Sequence, residues 1–181
     1  RLDQTALLFG GKLARVETRV EVNGAGAHVS MRSAAALSGA RHADQTSLVA
    51  FNAVGCETRQ IHRAALKDRA RGVFQGKFLV ARGSQQTDAE MNAGALLLSD
   101  GAEANCKPEL EIYADDVKCA HGSTAGALDD NALFYMRQRG LTEHQARALL
   151  VEAFLGEVFD GLPAGIEHIL RGQLSRWLEA I

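Results

Sequence analysis

The chain has 181 residues, with 20 Lys and Arg against 22 Asp and Glu, a net charge of −2 and 46% apolar residues. Such values suit one folded domain, or a domain with a small appendage, and exclude a disordered tail. They also exclude the basic footprint of a general nucleic-acid binder, and apolar runs such as Leu96-Leu97-Leu98 are far too short to cross a bilayer. No charged-then-apolar leader opens the sequence, so nothing argues for secretion, and a start at Arg1 rather than Met suggests a piece of a longer protein.

Up to about Ala127 the pattern is that of strands. From Leu13 to Val22 apolar and charged residues alternate, with Val16, Val20 and Val22 on one face and Glu17, Arg19 and Glu21 on the other. The runs Thr46 to Val54, Val73 to Val80, Ala95 to Leu98 and Leu110 to Tyr113 repeat the mode between Gly, Asn, Asp and Ser turns. Ala34-Ala35-Ala36-Leu37 favours helix by composition, but its flanking strand signals and Gly39 predict an extended run. Eighteen Gly against two Pro point to corners made through positive φ. Gly39 to Asp44 resembles Gly83 to Asp88, and Gly24 to Ala27 resembles Gly101 to Ala104, as stacked rungs of roughly 20 residues would produce. A β-solenoid is the preferred architecture, and a β-sandwich with chance turn similarity is the alternative.

After Leu128 the period becomes helical. Asp129 is placed as the N-cap of a helix through Leu133, Phe134 and Arg137 that Gly140 stops. Thr142 and Gln145 form a capping box for a second helix carrying Ala146, Leu149, Leu150, Ala153, Phe154 and Val158, closed by Gly161 and Pro163. A third helix aligns Ile166, Ile169, Leu170, Leu174, Trp177 and Leu178. The expected organisation is a β body over 1–127 and a helical subdomain over 128–181. The helices would pack on one another and on the open end of the β body, and Ile169, Leu170, Leu174 and Trp177 offer a possible partner face.

Cys119-Ala120-His121 is the candidate for chemistry, because residues two apart on a strand share a face. Thiol and imidazole are both metal ligands, yet two donors are too few for a zinc or Fe–S site, so the rest would come from another rung or subunit. A packed cysteine beside a surface histidine fits the same residues. Three widely spaced cysteines, Cys56, Cys106 and Cys119, make no disulfide framework and no CxxC pair, and read as reduced thiols. Asp115-Asp116 reads as a turn, Lys67 to Gly72 as a solvated basic corner, and His28, His42 and His62 as solvated or hydrogen-bonded side chains. No Walker, GxGxxG, GxSxG or HExxH motif occurs. A β-helix carbohydrate-active enzyme stays conceivable, although one Trp and two Tyr make a poor sugar platform.

Arg59-Gln60-Ile61-His62-Arg63-Ala64, Arg71-Gly72-Val73-Phe74-Gln75-Gly76-Lys77 and, above all, the string from Lys107-Pro108-Glu109 through Lys118-Cys119-Ala120-His121-Gly122 resemble the SufB/SufD family, its SufD branch in particular. Leu133-Phe134-Tyr135 and Arg139-Gly140 extend the likeness into the tail. The resemblance implies a right-handed parallel β-helix followed by helices, in a non-enzymatic, cytoplasmic scaffold of SUF Fe–S cluster assembly. It implies pairing with a SufB-like chain through the β-helix and binding of a SufC-like ABC ATPase through the C-terminal helices, where Phe134, Leu149 and Phe154 are the candidate contacts. His121 carries over as the interface residue tied to the nascent Fe–S cluster and as a metal ligand shared with the partner. Cys119 is its neighbour, with a role left open. No cofactor would be held stably by the chain alone, and a homodimer or other self-association in isolation is possible. Gly122 stands where SufB-like chains have Glu, which favours the SufD branch.

Overall fold

The computed structural model describes residues 1–179. Nine strands come first: β1 (Leu2–Leu8), β2 (Ala14–Val22), β3 (His28–Leu37), β4 (His42–Phe51), β5 (Glu57–Leu66), β6 (Arg71–Val80), β7 (Asp88–Leu97), β8 (Glu103–Ile112) and β9 (Lys118–Gly126). Odd strands form one parallel sheet in the order β1-β3-β5-β7-β9 and even strands a second, β2-β4-β6-β8. Each strand therefore pairs with the strand two ahead, and the chain winds as a parallel β-helix of about four coils, two strands to a coil. Three helices follow: α1 (Asp130–Gln138), α2 (Glu143–Gly156), which runs on into a 3₁₀ turn (Glu157–Phe159), and α3 (Ala164–Leu178).

The coil is longer than the expected rung. Gly39 and its partner one coil on, Asp68, lie 29 residues apart, and the backbone N–H of Gly39 donates to the Asp68 carboxylate at 2.8 Å. The corner similarities seen in the sequence joined non-equivalent turns. Gly39 sits between β3 and β4, where the chain passes from the odd to the even sheet, whereas Gly83 sits between β6 and β7, where it passes back. The true repeat lies in the backbone. Gly10, Gly39 and Asp68 (φ 69, 70 and 62°) mark one column of corners, and Gly26, Gly55 and Gln86 (φ 65, 69 and 61°) mark the other. Glycine adopts this left-handed conformation freely, and Asp and Gln accept it here through bonds to the next coil. Asp68 N–H donates to Ser99 Oγ at 2.9 Å and Gln86 N–H to the Asp116 carbonyl at 2.6 Å.

Inward positions of both sheets build the core. Val49, Phe51, Phe78 and Val80 from the even sheet meet Val29, Met31, Ala89 and Met91 from the odd one, with Phe51 and Phe78 edge to face at 5.8 Å. Polar side chains interrupt this core in the middle coils: Ser33, Gln45, Ser47, Thr58, Gln60 and His62 are all buried. Gln60 Nε2 donates to Ser47 Oγ at 2.6 Å, and His62 stacks on Phe74 at 4.7 Å with Nδ1 2.8 Å from Ser33 Oγ.

The extended reading of the alanine run holds, and its outward members have a use. Ala34, Ala36 and Ala65 face away from the core and pack under Val151, Leu155, Val158, Phe159, Leu174, Trp177 and Leu178. The helices thus cover the outer face of the odd sheet, a correction to the expectation that they cap the open end. Small side chains there let the helices approach closely. Asp129 does cap α1, accepting from Asn131 N–H at 2.9 Å, and Thr142 and Gln145 form the complete capping box of α2. The stripe expected on α3 splits: Leu174, Trp177 and Leu178 are buried against the sheet, and Ile166 and Ile169 are exposed.

Burial, with a smaller contribution from the nearby Arg63 charge, pushes the His62 imidazole down to about 3. It is neutral when folded and titrates near 6.5 when unfolded. The unfolded chain therefore binds more protons between these values, and stability falls as pH drops through that window, by at most about 1.4 kcal/mol per pH unit. Urea unfolding followed by Trp177 fluorescence between pH 7 and 5 should show this slope, and His62→Asn should flatten it.

Candidate functional site

The β-helix ends at β8 and β9, and their outer edges are unpaired among the described residues. β9 pairs on one side only, with Cys119 opposite Ala89 and His121 opposite Met91. Ala89 and Met91 are core residues, so Cys119 and His121 continue two inward columns of the odd sheet into the last coil. No further strand follows to cover them among the described residues. Cys119 is half-buried, and His121 and the rest of β9 are exposed.

β8 contributes the facing side. Its Cys106 continues the column of Phe74 and its Leu110 that of Phe78. Both rest half-buried on the core beside Cys119 and Val117. One end of the solenoid thus presents uncapped core, two thiols and an imidazole along two free edges. Asp115 and Asp116 lie in the corner joining β8 to β9, the turn that the sequence suggested.

Burial is the main influence on both thiols and pushes them above the usual cysteine range. At Cys119 a hydrogen bond with the Ala89 backbone pulls the other way, and the Asp88 carboxylate adds to the rise. Cys56 differs from both: it is buried in a corner, with its thiol 3.3 Å from the Ala53 carbonyl. Among the described residues no three His, Cys, Asp or Glu side chains gather as a metal site. Cys119 and His121 share a face as the strand period requires, but the described residues supply no complete ligand set around them.

The three other histidines singled out from the sequence have distinct settings. His28 pairs with Glu57 at 3.0 Å, His62 is a hydrogen-bonded core residue, and His42 leaves its buried Nε2 unpaired. Lys67 to Arg69 form a corner, and Arg71 is ion-paired to Glu103 at 2.8 Å. On the helices, Phe134 is 65% and Leu149 44% exposed, whereas Phe154 is half-buried against Gly94 and lies under Arg63, 5.4 Å from its guanidinium. Tyr135 and Ile169 extend the exposed apolar set. Leu141, Leu149, His144 and Gln145 line a groove of about 340 Å³ between α2 and the end of α3.

Comparison with known proteins adds the lineage. A family model described as "SUF system FeS cluster assembly, SufBD core domain" matches residues 1–154. The chain belongs to the SufBD family. It is 36% identical over 157 residues to the iron-sulfur cluster assembly protein SufD of Escherichia coli, covering 87% of this chain and 37% of that protein. It is 38% identical over 168 residues to an iron-sulfur cluster assembly SufBD family protein of Synechocystis, covering 92% of this chain and 37% of the relative. Against the chloroplastic protein ABCI7 of Arabidopsis thaliana it is 33% identical over 155 residues, or 85% and 33% of the two chains. The chain spans about a third of the length of these relatives. Among the described residues no helix is long and apolar enough to cross a membrane.

Cys106 had no signal in local spacing. It lies half a coil before Cys119, a relation visible only once the coil length is known. Because their thiols are held above the ordinary range, Cys106 and Cys119 should label with a maleimide more slowly than a free thiol at pH 7, accelerating above pH 9. Cys56 should stay unlabelled until urea unfolds the chain. Mass spectrometry of tryptic peptides after timed labelling separates the three.

Proposed function

We propose that this chain is the β-helix and helical part of a non-enzymatic, cytoplasmic SUF scaffold subunit of the SufD type. Its open end pairs with a SufB-like chain, and its helices bind a SufC-like ABC ATPase. One observation carries the reading: Cys119 and His121 stand on an edge strand with one free side, over uncapped core, with no third ligand among the described residues. An Fe–S cluster needs about four protein ligands, so a nascent cluster here is cargo whose remaining ligands come from across the interface. Unpaired parallel strands and half-covered core favour a protein partner over solvent. His121 is the residue offered to the cluster, and Cys119 is its half-buried neighbour.

The ATPase is assigned to the helices because Phe134, Leu149 and Ile169 remain exposed after the subdomain has packed. Phe154, a third candidate contact, has its ring against Gly94, so its substitution would act on docking of the helices as well as on any partner. Removing everything after Leu128 would likewise uncover Ala34, Ala36 and Ala65, and it is a poor test for the same reason. The surface pair Phe134→Ala and Leu149→Ala is cleaner. In pull-downs of the full-length protein with SufB-like and SufC-like partners, this double variant should lose most of the co-purifying ATPase and keep the SufB-like chain.

His121→Ala should leave the assembly intact by native mass spectrometry and lower Fe–S output in a complementation assay. Unchanged output would remove the role given to His121. If the wild type instead elutes as a homodimer and captures neither partner, the self-associating module is the correct reading.

A further inference from the structure

The scaffold reading places the ATPase on the helices and the cluster residues on β9, and the two must communicate if one is to act on the other. The chain itself joins them at the C-terminal end of β9, through Gly126 to α1, while Cys119 to Gly122 lie at the start of that strand. A second connection runs across the outer face of the odd sheet. Arg63 projects outward from β5 and is 12% exposed, whereas the other arginines in ion pairs among the described residues are 35 to 77% exposed. Its Nε donates to Glu157 Oε2 at 2.9 Å, and its Nη2 lies 2.8 Å from the same oxygen. Its Nη1 donates to Asn92 Oδ1 at 2.7 Å and to the His62 carbonyl at 3.0 Å, and the guanidinium covers the ring of Phe154. Glu157 begins the 3₁₀ turn that ends α2, so one shielded cation bonds the helical subdomain to β7.

Asn92 stands on β7, the strand that pairs with β9. Its backbone is in register with Gly122, the residue after His121. With Oδ1 engaged by Arg63, its Nδ2 lies 3.9 Å from where a side chain at position 122 would begin. Gly94 completes the arrangement from below: a Cβ there would meet the Phe154 ring at 3.0 Å, closer than ordinary packing, and touch Arg63 Cδ at 3.4 Å.

We propose that Arg63 and Asn92 form a positioning relay that holds the end of α2 in fixed relation to β9 at Gly122, so that a load on the helices reaches the strand carrying Cys119 and His121. Its use in the assembly rests on the scaffold reading; the mechanical coupling does not. The relay is a chain of three links, Glu157 to Arg63, Arg63 to Asn92, and the backbone pairing of β7 at Asn92 with β9. Only a coupling measurement separates such a chain from mere proximity.

The test is hydrogen–deuterium exchange on the full-length protein without partners, reading the peptide over residues 118–126. Glu157→Ala, Arg63→Ala and Asn92→Ala should each speed exchange there by roughly 5- to 30-fold, the factor for losing a single interaction. Asn92→Ala added to Arg63→Ala should add little further, because both break one path. Arg171→Ala removes a comparable bond set to Glu167 and Asp160 inside the helical subdomain and should leave β9 unchanged. Faster exchange confined to residues 151–159, additive effects, or an equal response to Arg171→Ala would overturn the relay. Should Arg63→Ala not fold, Asn92→Ala alone decides, and an unchanged β9 overturns the proposal. Since no cluster and no partner enter the readout, a negative result leaves the scaffold reading standing, and failure to capture partners leaves the relay standing.

Discussion

Everything in this molecule depends on each strand pairing, in parallel and in register, with the strand one coil away. Parallel pairing forbids tight hairpins, so every connection must cross from one sheet to the other, and the corners must turn in almost no length. Two columns of left-handed residues, Gly10-Gly39-Asp68 and Gly26-Gly55-Gln86, perform those turns from the β1–β2 corner through the β6–β7 corner. Once register is fixed at the corners, side chains stack in columns through the whole solenoid. A residue's neighbours are then those one coil before and after it, not those beside it in sequence.

Column stacking explains why the two outer faces differ. The even sheet carries Arg15, Asp44, Arg71, Glu103, Lys77 and Glu111 outward, in exposed ion pairs between adjacent coils, each contributing at most about 1 kcal/mol. The odd sheet carries Ala34, Ala36, Ala65 and Gly94 outward over half its width. Charged columns keep one face in water, and small columns form a trough for α2 and α3. The helices bury Trp177, Leu174 and Phe159 there and leave Phe134, Leu149 and Ile169 outside. The same strand property, two faces with a period of two, supplies both a solvated wall and a docking floor.

The fold class was legible because strand alternation and helix capping are local. Val16 to Val22, Asp129 and the Thr142–Gln145 box needed only a few neighbours to interpret. The coil length was not legible, because the similar corners at Gly39 and Gly83 leave different sheets and real equivalents such as Gly39 and Asp68 share φ but not identity. The site was half legible. Cys119 and His121 follow from strand periodicity, whereas Cys106, Asn92 and Arg63 join them only through columns and sheet faces. For His62, sequence allowed either solvation or hydrogen bonding. Burial decided it, because Ser33 and Phe74 come from other coils.

An incomplete ligand set has a consequence that a complete one would lack. Metal binding needs the thiolate, and burial holds Cys119 and Cys106 toward the protonated thiol. With two donors on β9 and raised thiols, the isolated end has weak grounds to capture iron from solution. On the scaffold reading, pairing brings further ligands, and cluster formation and pairing then stabilise each other by the same free energy, because such coupling is reciprocal. The reverse holds equally: whatever separates the edges of β8 and β9 from the partner removes ligands from the cluster and lowers its affinity by that coupling energy. A closed four-ligand site on one chain would hold its cluster through either movement. On the same reading, division of the site across a free sheet edge would make capture and release follow from assembly and opening.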